Sequence, residues 1–299
     1  MKSRILVTGV NGQVVTALRE AATDRPDVEL IWLGRPDFDL SDTENITDKI
    51  VAAAPHVILS VAAYTAVDNA ESDESTATSI NAVAVGEIAE GAARLSIPVI
   101  HLSTDYVFDG TKPSPYLETD KPNPTSAYGR SKLAGEQVLA ARLQNHIILR
   151  TAWVYSPFGK NFLKTMLSLA ETRDHLRVVS DQRGNPTSAI DIAEALLVIA
   201  GNLLTDKDPG LRGTFHMSGT GEATWAEFAE QIFQASERLG GPTAQVEHIP
   251  SSQYPTPAKR PANSRLDCGK LEQVHGVRLP DWRSSTELVV RRLMRQSSN

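Results

Sequence analysis

Cysteine is almost absent: Cys268 stands alone among 299 residues. No disulfide can form within the chain, and a thiolate zinc site has no ligand set to build on. A basic surplus is also missing. Thirty Lys and Arg face 36 Asp and Glu, a net charge of −6 without basic clusters. That argues against nucleic acid or an anionic membrane as a partner. The seven histidines show no metal-ligand spacing such as HExxH, so no metal site is assigned. Long hydrophobic runs are lacking too. The longest stretch free of Asp, Glu, Lys and Arg, residues 50–67, is broken by Pro55, His56, Ser60, Tyr64 and Thr65. It makes a poor membrane span. The N-terminal apolar run leads straight into glycines without a small-residue cleavage site, so no signal peptide is read and a cytoplasmic location is expected. Neither a repeat nor a low-complexity tract is present. A chain with 41% hydrophobic and 22% charged residues has an ordinary globular composition, enough for one large domain or two small ones.

What is present is an alternation of strands and helices. Ile5-Leu6-Val7, Val28–Leu33, Val57–Val61, Pro98–Leu102 and Ile147–Arg150 read as strands. Between them, a helix carries Val14, Val15 and Leu18 on one side, and Ile46–Ala54, Ala70–Leu95 and Ala127–Leu143 read as helical. Such alternation implies parallel βαβ units, and hence an α/β fold with a Rossmann-like, doubly wound parallel sheet. Ser103–Ser126 reads as a loop. Beyond residue 150 the regularity weakens: helices are predicted at Phe162–Glu171, Ala189–Asn202, Thr224–Leu239 and Ser285–Met294, and strands at Leu176–Val179 and Thr214–Met217. His248–Arg265 holds four prolines and reads as a long loop of the kind that carries function. The division expected is a nucleotide-binding domain over residues 1–152, with 178–210 returning to it. A smaller C-terminal substrate-binding lobe takes 153–177 and 211–299.

Four features carry chemistry. Gly9-Val10-Asn11-Gly12 falls between the first strand and the first helix, where glycines let the backbone turn tightly and approach a pyrophosphate at the helix N-terminus. Val15 stands where a third glycine often serves helix–strand packing. The second strand ends Leu33-Gly34-Arg35, with no acid before Asp37. An arginine there suits a 2′-phosphate, although a solvated surface arginine reads the same way, and Asp37 or Asp39 could reach a ribose. Tyr128 and Lys132 are four apart and share a helix face. A nearby ammonium would lower a phenol's pKa and let the tyrosine donate a proton to a substrate oxygen. A plain surface pair on a helix is the alternative. Thr104 follows a parallel strand, where open α/β sheets bind ligands and where a hydroxyl could polarise a carbonyl; it could equally form a turn.

These segments together resemble the extended short-chain dehydrogenase/reductases. The likeness rests on Gly9–Gly12, on residues 103–110 (STDYVFDG) and on residues 128–136 (YGRSKLAGE). Ala63–Asp68, Arg150–Tyr155, Asp181–Thr187, Arg260–Asp267 and Pro280-Asp281-Trp282 extend it over nearly the whole chain. Within that family it is similar to the branch that reduces dTDP-4-dehydro-L-rhamnose to dTDP-L-rhamnose with NADPH, NADH being accepted as well. The resemblance implies Tyr128 as proton donor, Lys132 on the nicotinamide ribose and Thr104 beside the 4-keto oxygen. It implies Gly9, Val10, Asn11, Gly12, Gln13 and Val14 around the pyrophosphate, and Asp39 and Leu40 near the adenine. Ala62, Ala63 and Tyr64 fall near the ribose and nicotinamide. Val67, Asp105 and Trp153 shape the sugar site, Trp153 reading equally as core, and Arg260 holds the nucleotide diphosphate. A homodimer is implied too. Some members bridge Mg²⁺ through carboxylates, for which no ligands are assigned here. Three rivals stand beside this reading. The first is a reductase of another nucleotide-linked 4-keto-6-deoxy sugar. The second is a 4,6-dehydratase, whose Thr-Asp-Glu is met here by Thr104-Asp105-Tyr106. The third is a non-catalytic NADP-binding regulatory subunit, which would be expected to lose Tyr128 or Lys132.

Overall fold

The computed structural model describes residues 2–297, with side chains to residue 295. The chain runs β1 (Ser3–Thr8), α1 (Gln13–Ala21), β2 (Val28–Leu33), α2 (Ile46–Ala53), β3 (Val57–Ser60), α3 (Val67–Ala70) and α4 (Glu74–Thr78). A π-helical turn (Ser79–Val83) leads into α5 (Ala84–Leu95), β4 (Val99–Thr104), α6 (Ala127–Arg142) and β5 (His146–Thr151). Then come β6 (Val154–Tyr155), α7 (Phe162–Ala170), β7 (His175–Val179), β8 (Arg183–Gly184), β9 (Thr187–Ser188) and α8 (Ala189–Thr205). The chain closes with β10 (Gly213–His216), β11 (Ala223–Thr224), α9 (Trp225–Glu237), β12 (Gln245–Ile249), α10 (Gly269–His275) and α11 (Trp282–Ser297). No helix among the described residues is long and apolar enough to cross a membrane.

Six strands form one parallel sheet in the order β10-β5-β4-β3-β1-β2. The predicted doubly wound α/β sheet is therefore present. Alternate residues of each strand feed two different cores. Ile5, Val7, Leu59, Ile100, Leu102, Ile147 and Leu149 pack with α1 and α8 on one face. Leu6, Ile58, Val99 and Ile148 pack with α2, α5 and α6 on the other. Burial on both faces is why these strands read as unbroken apolar runs. Val15 lies in the first core, so the site of a missing third glycine is filled by packing. The strand order reverses between β1 and β3, and ligands of such sheets bind beyond the strand C-termini at that reversal.

A third core gathers α7, α9, α11, β7 and Tyr155. The small strand pairs β7–β12, β8–β11 and β6–β9 belong to this side of the molecule. Two segments fall on the other side of the expected division. β10, anticipated in the lobe, closes the main sheet, because Phe215 and Met217 continue its core and β5 offers a free edge. Val178 and Val179 pair with β12 instead of returning with α8. β12 itself was not anticipated. Gln245, Glu247 and His248 are exposed on it, so its composition hides a strand held by one-sided pairing. The long helix expected over Ala70–Leu95 is interrupted at residues 71–73, where the Asp73 side chain accepts from Thr76 N and starts a new helix.

Candidate active site

The residues singled out in the sequence converge on the C-terminal edge of the sheet. At β1, Gly9 and Gly12 adopt φ of +100° and +120°, a region that favours glycine. The Thr8 hydroxyl accepts from Val61 N and Ala62 N at 3.0 and 3.1 Å, tying this turn to the end of β3. Gly34 lies so close that a Cβ there would sit 2.8 Å from Val10 N, which explains the glycine before Arg35. The N-terminus of α1 has no side-chain cap and no acid in its first turn, and a Cβ on Gly12 would meet nothing within 4 Å. Open space therefore faces free N–H groups, a cradle that fits a pyrophosphate. Val14 is half-buried. The Gln13 side chain turns away from this space: its Oε1 accepts from Ser156 Oγ at 2.8 Å and Asn161 Nδ2 at 3.0 Å, so only its backbone can serve the cradle.

Arg35 is exposed just beyond β2. The Asp39 carboxylate is held below its ordinary range chiefly by Ser41, whose N and Oγ donate at 2.9 and 2.8 Å, and less by the charge of Arg35. Leu40 is 8% exposed and belongs to the core. Ala62, Ala63 and Tyr64 follow β3. The Tyr64 backbone is clasped by Asn81, which accepts from Tyr64 N at 2.9 Å and donates to Tyr64 O at 3.1 Å. Asn81 sits in the π-helical turn and also donates to Ser131 Oγ at 2.9 Å, so that turn joins the β3 loop to α6.

Helix α6 presents Tyr128 in its first turn. Ser126 caps it by accepting from Gly129 N at 3.1 Å, and Glu71 accepts from Ala127 N at 2.9 Å. Gly129 lets Tyr106 approach, since a Cβ would fall 2.2 Å from Tyr106 O. The Tyr106 and Tyr128 rings meet edge to face, with centroids 5.6 Å apart. Thr104 ends β4, buried, and its hydroxyl donates to Asp105 Oδ1 at 3.0 Å. Burial raises the Tyr128 phenol above its ordinary pKa; Thr104 pulls it down, and the charges of Asp105 and Tyr106 push it further up. Burial also pushes Asp105 up to about 6 and Tyr106 up to about 12. Among the described residues, Asp105 Oδ2 is buried with no hydrogen-bond partner at ordinary bonding distance, and Ser264 draws the carboxyl's pKa down against burial.

Arg260 and Asp68 come from distant parts of the chain. Arg260 Nη2 lies 2.8 Å from Asp68 Oδ2, Asp68 Oδ1 accepts from Ala258 N at 3.1 Å, and the Arg260 charge draws the Tyr106 phenol's pKa down against burial. Val67 starts α3 beside Asp68. Trp153 follows β5 with φ of +46°, an uncommon backbone state for a bulky side chain. It stacks on Trp225 at 3.6 Å, and Gly184 makes room for it.

A sequence model of the family described as RmlD substrate binding domain matches residues 2–295. A dTDP-4-dehydrorhamnose reductase of Sinorhizobium fredii is 54% identical over 287 residues, 96% of each chain. Its namesake in Escherichia coli is 39% identical over 293 residues, 97% of each chain. The chain belongs to the dTDP-4-dehydrorhamnose reductase family. Among solved structures, the Bacillus anthracis reductase in complex with NADP matches this one with a TM-score of 0.90 at 31% identity, over 98% of this chain and 100% of that one.

In this member of the reductase family, one expectation from the sequence is met differently. Lys132 was to lower the Tyr128 pKa, but its ammonium points into the sheet. Nζ donates to Leu102 O at 2.7 Å and lies 3.1 Å from His101 Nε2, and the phenol's surroundings raise its pKa. Burial brings Lys132 itself down to about 8, against the pull of Glu136. The sequence reading also passed over Ser60, Asn81, His101 and Tyr106. His101 had a signal: a polar ring inside the apolar run Val99–Leu102 needs a buried partner.

Proposed function

We propose that this chain reduces the 4-keto group of dTDP-4-dehydro-L-rhamnose, yielding dTDP-L-rhamnose. The observation that carries the reading is the buried Tyr128 phenol beside the Thr104 hydroxyl, at the same sheet edge as an uncapped, glycine-lined helix N-terminus. Gly9, Val10, Asn11 and Gly12, with the backbone of Gln13 and Val14, would hold the NADPH pyrophosphate. Arg35 would meet its 2′-phosphate. Asp39 and Leu40 would lie near the adenine, and Ala62, Ala63, Tyr64 and Lys132 along the ribose and nicotinamide. The chemistry that the cofactor supplies when bound is a hydride for C4 of the sugar.

The protein's own part is proton supply and orientation. Thr104, exchanging Asp105 Oδ1 for the substrate, donates toward the 4-keto oxygen and fixes its position. Tyr128, held in its acid form by burial, passes a proton to that oxygen as negative charge develops. Asp105, Val67 and Trp153 surround the sugar. Arg260, exchanging Asp68 for phosphate oxygens, binds the diphosphate through a planar fork. The six-stranded unit thus carries the cofactor and the reacting end of the sugar, and the lobe around α7, α9 and α11 adds Trp153, stacked on Trp225, to the sugar's surroundings. Incubation of the purified chain with dTDP-4-dehydro-L-rhamnose and NADPH, followed by NMR of the product, tests the reading. The expected product is dTDP-L-rhamnose; the C4 epimer, or no turnover, would refute it.

A further inference from the structure

His101 is 1% exposed and stands in β4 between Ile100 and Leu102. Its ring spans two elements: Nδ1 lies 2.9 Å from the Ser60 hydroxyl at the end of β3, and Nε2 lies 3.1 Å from Lys132 Nζ on α6. Lys132 Nζ also donates to Leu102 O at 2.7 Å. Desolvation, then the adjoining ammonium, hold the imidazole well below its ordinary pKa, so the ring is neutral. A neutral imidazole has one donor and one acceptor nitrogen, and an ammonium can only donate. Nε2 therefore accepts from Lys132, and Nδ1–H donates to Ser60. Two of the three ammonium donors are used by these groups, and the third has no partner among the described residues.

We propose that His101 is a positioning residue for the reduction: with its Nδ1–H held by the Ser60 hydroxyl, it holds Lys132 as an ammonium that offers one N–H to what binds in the cleft. The inference rests on Lys132 acting in the proposed reaction. An apolar side chain at position 101 would continue the strand's run without burying a polar ring, and it would leave the ammonium with only the Leu102 carbonyl. Other titratable groups face this cluster. Glu136, one turn further along α6, is paired with Arg150 of β5 at 2.6 Å. His146 stands at the start of β5, Tyr128 one turn earlier on α6, and Asp105 and Tyr106 just beyond β4. Losing the acceptor destabilises the ammonium relative to the amine. Lys132 then deprotonates at lower pH, and the alkaline fall in activity moves the same way.

The test compares His101→Phe, His101→Gln, Ser60→Ala and Lys132→Ala for kcat, cofactor KM, pH profile and Tm. His101→Phe should lose about tenfold in kcat/KM for NADPH and move the alkaline limb down by about one pH unit, the scale of one hydrogen bond to a charged group. His101→Gln, whose amide oxygen can accept from Nζ, should restore most of both; Ser60→Ala should fall between wild type and His101→Phe. If His101→Phe does not fold, Ser60→Ala decides, and an unmoved alkaline limb there overturns the inference. So does a folded His101→Phe with wild-type kinetics, or one whose loss is not rescued by Gln and comes without a pH shift. Impaired Lys132→Ala beside an unaffected His101→Phe sinks this inference alone. Wild-type turnover in Lys132→Ala would sink the role of Lys132 and this inference with it.

Discussion

Tyr128 works under opposing influences. Burial and the nearby Asp105 keep its phenol protonated at neutral pH, while the Thr104 hydroxyl draws it back toward reactivity. Removing only the hydroxyl should leave the fold and the cofactor cradle intact. Tyr128→Phe is therefore expected to cut kcat by about 10²–10⁴-fold with little change in NADPH affinity. Turnover within threefold of wild type would remove it from the mechanism. Arg35 is the other single residue with a separable effect. Its exposed guanidinium stands past β2, and no carboxylate closes that strand. A preference for NADPH over NADH of about tenfold, near 1.4 kcal/mol, should follow. Arg35→Ala should bring the two cofactors within about threefold by raising the NADPH KM alone. An unchanged ratio would mean that another group reads the ribose.

Among the elements, the junction of α6 with the π-helical turn sets the site's geometry. Asn81 reaches both Tyr64 and Ser131 only because α6 packs very closely there. A Cβ at Gly135 would fall 2.0 Å from Asn81 O, a backbone atom that cannot swing aside. Gly135→Ala should cost about 1–3 kcal/mol or more, read from the urea midpoint, and raise the cofactor KM by displacing the Tyr64 loop. Gly201→Ala on α8 is the control. Nothing lies within 4 Å of its added Cβ, so helix propensity should make it neutral or stabilising by up to about 1 kcal/mol. Equal effects of the two substitutions would show that the α6 contact does not bear on stability.

At the scale of the whole molecule, His216 ties the 103–126 loop to the edge of the main sheet. Its Nδ1–H donates to Tyr116 O at 3.0 Å, and its backbone N donates to Glu118 at 2.9 Å. Burial, then Arg150, bring its pKa from 6.5 down to about 3. Between those values the unfolded chain binds the proton and the folded chain does not, so stability falls as pH drops through that window and is level above it. Asp105 runs the other way: raised to about 6, it favours the folded state as pH falls below that value. Only a difference between variants isolates the histidine. In His216→Gln, the stability gap to wild type should change in the variant's favour by about 1.4 kcal/mol per pH unit between pH 6 and 4. Parallel pH curves for the two proteins would refute the assignment.

Local order decided what could be read from the chain itself. Doubly buried strands appear as apolar runs, the βαβ order forces parallel pairing, and Gly9–Gly12 marks a turn that only glycines make comfortably. The placement of Thr104 at the end of β4, Tyr128 in the first turn of α6 and Trp153 just past β5 was legible from the order of elements. The tertiary structure alone decided the direction of Lys132. A Tyr and a Lys four apart share a helix face in any helix, but whether the ammonium meets the phenol depends on the acceptors that β4 supplies, here Leu102 O and His101. It also decided the pairing of Asp68 with Arg260 across 192 positions and the place of β10 in the main sheet. Contacts between residues distant along the chain arise when apolar faces close on one another and bring buried polar groups within reach of partners. No local pattern of residue types encodes which partners those will be.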